Sequence, residues 1–153
     1  ERLAKYLISD SASPMETALA LILTLPVRYG GYSIPQPVMN MLVPVKAGQG
    51  RGADKHYYRC DLAWPDRGVA VEYDSDAFHT GSARIAADAK RRNSLSYLGY
   101  RVITVGRQQM KSEAALNMVA VQIAKQLGVR LRPRSQNWAE SRKRLREELL
   151  SPF

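Results

Sequence analysis

Cysteine is almost missing: Cys60 stands alone in a chain of 153 residues. No internal disulfide can form, so the fold must be held by its core. Only two histidines are present, His56 and His79, far apart in sequence. That excludes a structural zinc site of the Cys/His kind. A metal centre would have to be built on carboxylates and would suit a hard ion such as Mg²⁺. Long apolar runs are missing too. The longest, Ala18 to Leu25, falls short of a bilayer span, and no charged-then-apolar segment with a small-residue cleavage site opens the chain. No membrane partner is expected, and the cysteine usage fits a reducing, cytoplasmic compartment. The first residue is Glu1 rather than Met, which reads as a truncation and leaves room for a further domain upstream.

Acids are the scarcer charge. Asp plus Glu is 14 against 23 for Lys plus Arg, a formal net charge of +9. Such a balance favours polyanions: DNA, RNA or an anionic surface. A soluble protein that is merely basic has the same charge. The rest of the composition is ordinary, with 45% apolar and 24% charged residues, as expected of one globular domain.

Ser13-Pro14-Met15-Glu16 reads as a helix start, with Ser13 as cap, Pro14 at the first helical position and Glu16 three after the cap. The helix should stop before Pro26. Gly30-Gly31, Pro35 and Pro37 mark a loop. Met39 to Val45 reads as a strand, and Gly48 to Lys55, Gly-rich and basic, as a long hairpin tip. Tyr57 to Trp64 and Val69 to Asp74 are strands around Pro65-Asp66-Arg67-Gly68, a strong hairpin signal. Ser82 to Leu98 is helical with Gly99 as its stop. Arg101 to Val105 is a short strand, and Ser112 caps a helix to Leu127, closed by Gly128. Beyond Pro133, Asn137 to Leu150 forms a charged helix. The order α-β-β-β-α-β-α plus a C-terminal helix predicts an α/β fold with a mixed sheet flanked by helices.

The hairpin carries the chemistry. If its loop is symmetric about residues 66 and 67, Asp61 lies opposite Glu72. Strand alternation then puts Ala63, Ala70 and Asp74 on the same face. Cys60, Leu62, Trp64, Val69, Val71 and Tyr73 form the apolar face that packs on helices. Opposed like charges destabilise an antiparallel pair and raise each other's pKa. A divalent cation removes that repulsion, and Mg²⁺ takes one or two carboxylates plus water and phosphate oxygens. Ala63 and Ala70 leave room for it. A solvent-facing polar edge of an amphipathic hairpin is the other reading of the same pattern.

Cys60-Asp61-Leu62, then Val69-Ala70-Val71-Glu72-Tyr73-Asp74, then Phe78-His79 resemble the core of the PD-(D/E)XK nucleases, in the branch around the very-short-patch-repair endonuclease. Asp88, Arg91, Leu95 and Gly99, followed by Tyr100-Arg101-Val102-Ile103, are similar to that branch's D-x-x-R-x-x-x-L-x-x-x-G segment and the strand after it. Ser13-Pro14-x-Glu16 resembles its T-P-x-E helix start. The resemblance spans residues 13 to 106 and implies a restriction-endonuclease-like core with a four-stranded sheet. It divides the chain into a lead-in (1–12), an endonuclease-like domain (13–130) and a basic C-terminal helix (131–153).

The resemblance also implies a bacterial-type, Mg²⁺-dependent endodeoxyribonuclease, with Mn²⁺ as a substitute ion. Asp61 and Glu72 would be the metal ligands. Asp74 and Glu16 would be supporting acids of the catalytic set, and His79 a proton-transfer or phosphate-contacting group. Asp74 stands where many members carry a lysine, so Lys90 or Arg91 would supply that positive charge. Lys90, Arg91 and Arg92 on the helix, with Arg51 and Lys55 in the hairpin tip, are the nucleic-acid-binding candidates. A double-strand cutter would need two sites and hence a homodimer.

Each position also has a plainer reading. Glu16 completes a capping box, and His79 sits in a polar loop where a solvated imidazole is ordinary. Asp88 can pair with Arg91 and Arg92 along the helix. Cys60 reads as a small buried strand residue, and Trp64 and Tyr73 as core. Arg51 and Lys55 fit a solvated tip equally well. Arg130, Arg132, Arg134 and the run Arg142 to Arg146 suggest a phosphate-binding tail, although Glu140, Glu147 and Glu148 on the same helix offer internal partners. The rival functions are a catalytically inactive nuclease-like module that binds nucleic acid, within a regulator, or a protein-interaction domain of a defence system.

Overall fold

The computed structural model describes residues 8–46, 55–74, 82–131 and 137–151. Helix α1 (Pro14–Thr24) begins as the sequence predicts: Ser13 Oγ accepts the Glu16 amide at 3.2 Å, with Pro14 in the first turn. Leu25 turns extended ahead of Pro26. A 3-10 turn at Val27–Tyr29 then leads to Gly30. Strands β1 (Val38–Lys46), β2 (Lys55–Trp64), β3 (Val69–Asp74) and β4 (Arg101–Gly106) follow in spatial order β1-β2-β3-β4. Strand β2 is antiparallel to both of its neighbours, β1 and β3, and β4 runs parallel to β3. Helix α2 (Ser82–Tyr97) makes the crossover between β3 and β4 that a parallel pair requires. Helices α3 (Arg107–Lys111), α4 (Glu113–Leu127) and α5 (Trp138–Leu150) complete the chain. Among the described residues no helix is long and apolar enough to cross a membrane.

The 65–68 turn fixes the register of the central hairpin. Gly68 adopts a left-handed φ of 59° and closes a 3-10 turn on Pro65. A Cβ on Gly68 would meet the Gly99 carbonyl at 2.5 Å, so glycine is required there on two counts. Leu62 pairs with Val71, Ala63 with Ala70 and Trp64 with Val69, the register that loop symmetry predicts.

Two clusters hold the sheet between its helices. Leu62, Trp64, Val69, Val71, Ile103 and Val105 pack with the apolar sides of α1 and α4, joined by Leu145 of α5. On the other face, Leu95 of α2 packs with Ala63, Ala70, Val43 and Cys60. Here two expectations fail. Ala63 and Ala70 leave no free room, because both are fully buried and their smallness lets α2 sit close. Cys60 lies in this second cluster rather than beside Leu62 and Trp64. The reason is a local reversal. Met39 and Leu62 pack on the main core, whereas Met41, Val43, Tyr58 and Cys60 pack on the α2 side. Both strands therefore change face at the Asn40–Asp61 step. Asn40 has φ 48°, and the β1–β2 pairing skips it while keeping register on either side. Strict alternation, the premise of the expectation, breaks at that step.

Three further differences are smaller. Lys55 opens β2 instead of belonging to the tip, and a five-residue helix, α3, precedes α4. Two of the three arginines of α5 are engaged within the fold, whereas Arg144 is exposed and Arg132 and Arg134 of the expected phosphate-binding tail lie outside the described residues. Arg142 is buried, its guanidinium lies 4.2 Å above the Trp138 ring, and it donates to Asn117 Oδ1 (3.3 Å) and Tyr32 Oη (3.4 Å) and pairs with Glu113. Arg146 donates to the carbonyls of Met110 (3.1 Å) and Lys111 (2.7 Å), taking up acceptors left at the end of α3. Gly30 permits the close approach of α5, since a Cβ there would meet Ser141 O at 2.4 Å.

Candidate functional site

The site forms where β2 and β3 part. Past the Leu62–Val71 pair the ladder gives way, and Asp61 Oδ2 accepts the Tyr73 amide at 2.8 Å. The face reversal at Asn40–Asp61 thus leaves one carboxylate tied to the neighbouring strand by its own side chain. Glu72 sits one residue along β3 and faces Thr104 across the parallel pair with β4. From α1, Glu16 reaches the same place. It is 7% exposed, and its Oε2 accepts from the Ala12 amide (2.9 Å) and from Asn40 Nδ2 (3.3 Å). It lies beside the other acids as expected, but it does not close the expected capping box, because it accepts from Ala12, one residue before the Ser13 cap, and not from Ser13 itself. Asn40 Nδ2 also donates to the Asp10 carbonyl.

Helix α2 closes the opposite side. Leu95 anchors it to the sheet, and one turn earlier Arg91 Nη2 lies 2.6 Å from Glu72 Oε1. The same Nη2 donates to the carbonyl of Arg59. The approach to Glu72 is close but not aligned as a hydrogen bond, and Glu72 Oε1 and Arg91 Nε are both buried without a hydrogen-bond partner. Glu16, Arg59, Asp61, Glu72, Tyr73, Asp74, Asp88, Arg91, Arg92 and Thr104 line a polar cleft of ≈ 380 Å³.

Burial raises both central carboxyls above the ordinary carboxylate value. For Asp61 the Tyr73 amide opposes the rise, Glu16 adds to it, and Arg91 and Arg59 oppose it. For Glu72 burial is again the largest cause, opposed by Arg91 and reinforced by Asp61 and Asp88. Both acids are therefore partly desolvated and held together in a cleft, not spread along a fully solvated edge. Burial pushes the Cys60 thiol up to about 11, so it is protonated and inert at neutral pH.

The structure brings Asp61, Glu72, Asp74, Glu16, Asp88, Arg91 and Arg92 together. It does not bring Lys90, which lines a separate, mainly apolar groove between α2 and β1 with Pro44, Val45 and Tyr97. Lys55 lies at the far end of β2. Arg51 and His79 fall outside the described residues. Two cleft residues, Arg59 and Thr104, escape the sequence reading, as does Asn40, which donates to Glu16. Asn40 leaves a signal, being the one polar residue in the run Val38 to Val45. Arg59 lies two residues before Asp61. Thr104 leaves none, because its place depends on the β3–β4 register.

The donor set suits a hard cation. It is all oxygen, and Mg²⁺ needs only one or two carboxylates from a protein when water and phosphate complete its shell. Glu72 Oε1, buried and without a donor, fits that demand. Among the described residues no group of three or more His, Cys, Asp or Glu is placed to hold a metal ion, so Asp61 and Glu72 would act as a pair.

No family model matches the chain, and no solved structure matches it. Two proteins of Mycobacterium tuberculosis, from strains CDC 1551 and H37Rv and each described only as uncharacterized, are each 30% identical to it over 119 residues. The match covers 78% of this chain but 38% of each relative, so the chain spans well under half their length.

Proposed function

We propose that the chain is a metal-dependent endonuclease that hydrolyses DNA phosphodiester bonds, built on a restriction-endonuclease-like core. The observation that carries this reading is the pair Asp61 and Glu72: two largely buried carboxyls, raised by burial, at the parting of two strands and beside arginines. The mixed sheet with α1 and α4 on one face and α2 on the other is compatible with that core. Asp61 and Glu72 would hold Mg²⁺, or Mn²⁺ in its place. The chemistry a divalent cation supplies is charge neutralisation at the phosphate and acidification of the attacking water. Arg92 and Arg91 line the same cleft and attract the phosphate. Glu16 fixes Asn40 and so the strand reversal that presents Asp61. Asp74 adds negative charge to the cleft lining, and His79 keeps the proton-transfer or phosphate-contacting role the resemblance assigns it. The net charge of +9 agrees with a DNA partner.

One observation favours a second reading. Arg91 already neutralises Glu72, so the acids persist without a metal, as they would in an inactive nucleic-acid-binding module. Nicking of supercoiled plasmid separates the two. Cleavage with Mg²⁺ or Mn²⁺, absent with EDTA and lost in Asp61→Ala and Glu72→Ala, is the expected result. Salt-sensitive DNA binding without cleavage under any of these conditions would favour the module.

A further inference from the structure

We propose that Arg91 is a displaceable counter-ion: a divalent cation and the Arg91 guanidinium compete for Glu72, and the released guanidinium becomes a contact for the substrate phosphate. The inference rests on the nuclease reading and assigns Arg91 a coupling role within that site. Three features carry it. Arg91 Nη2 lies 2.6 Å from the very oxygen, Glu72 Oε1, that lacks a hydrogen-bond donor. The pair is close without being aligned, so the attraction is largely that of two charges, which a small divalent ion satisfies better. Among the described residues the guanidinium's one hydrogen bond is from that same Nη2 to the Arg59 carbonyl, with the Tyr58 ring 5.9 Å away, and its side chain is 32% exposed against 15% for Glu72. It therefore has an aqueous route out of the pair, while the carboxylate does not.

The consequence is a sign rule. Removing Arg91 takes away the competitor for the acids and also the phosphate contact, so cation affinity rises while DNA affinity falls. An arginine that merely braces the fold would weaken both. An arginine that only touches phosphate would leave cation affinity alone.

The test is calorimetric titration of Mn²⁺ into the wild-type chain, Arg91→Ala and Arg91→Lys, with binding of a short DNA duplex in Ca²⁺ at fixed salt as the second readout. Melting curves confirm that each variant is folded. In Arg91→Ala, Mn²⁺ should bind about tenfold more tightly and the duplex about tenfold more weakly, changes of about 1.4 kcal/mol in opposite directions. Arg91→Lys, which keeps a charge but loses the planar fork, should move both the same way by less, and it decides the matter if Arg91→Ala does not fold. Unchanged or weaker Mn²⁺ binding in the variants, with wild-type binding intact, overturns the counter-ion role and leaves the nuclease reading standing. Absence of Mn²⁺ binding in every form overturns that reading and this inference with it.

Discussion

Two arginine–glutamate pairs of this molecule have their burial inverted. In the α5 pair the arginine is buried and the acid open: side-chain exposure is 10% for Arg142 and 45% for Glu113. In the cleft the acid is the buried member, at 15% for Glu72 against 32% for Arg91. The difference separates a brace from a site. A buried guanidinium spreads its charge over several donors and stacks on an aromatic ring, as Arg142 does with Tyr32, Asn117 and Trp138. Glu72 has no such set of partners among the described residues, and its Oε1 is buried without a hydrogen bond. Its desolvation is met by one imperfectly aligned arginine, and its pKa rises. Stability alone gives a fold little reason to keep that arrangement.

If the comparison is right, the two pairs respond differently to truncation. The largest effect on stability is expected from Arg142→Ala, which removes the stack on Trp138 and the bonds to Tyr32 and Asn117. The loss should be about 2–3 kcal/mol, a fall in melting temperature of roughly 5–10 °C for a domain of this size. Mn²⁺ affinity at the cleft should not change, and a parallel loss of it would break the comparison. Glu113→Ala, at the open end of the same brace, should cost only about 0.5–1 kcal/mol, read by urea unfolding. A cost equal to that of Arg142→Ala would mean that the ion pair, and not the stack, holds α5 in place.

Much of this contrast was legible in the sequence, but unevenly. The hairpin register followed from Pro65 to Gly68, because a turn with a required left-handed glycine fixes strand pairing locally. Asp61 and Glu72 could therefore be placed near one another, but the expected Asp61–Glu72 pair does not form, because the ladder ends at Leu62–Val71 and Asp61 accepts the Tyr73 amide. What alternation could not foresee was its own failure at Asn40, where a left-handed residue in β1 turns both strands over and sends Cys60 to the α2 side. Nor could it show that Ala63 and Ala70 are small in order to seat Leu95. Arg142 and Arg146 of α5 looked like part of a phosphate-binding surface, since sequence shows charge and not the aromatic ring or the helix-end carbonyls that engage them. Each of these misses concerns contacts between segments distant along the chain, which local pattern does not encode.

The smallest effect is also the sharpest discriminator: the pH dependence of stability. Asp61 and Glu72 bind protons more tightly in the folded chain than in the unfolded one, because burial disfavours their charged forms. Between the ordinary carboxyl value and the raised folded value the native state holds more protons. These two groups therefore make stability fall as pH rises through that window, and below it the penalty is absent. Asp61→Asn keeps an acceptor for the Tyr73 amide and removes one desolvated charge. It should melt higher than wild type at neutral pH and show a shallower slope across the carboxyl range. A divalent cation that neutralises the pair should raise the wild-type melting temperature at neutral pH and leave that of Asp61→Asn nearly unmoved. If Asp61→Asn instead melts lower with its slope unchanged, the buried acids are supporting the fold, and the distinction drawn between the cleft and the α5 brace fails.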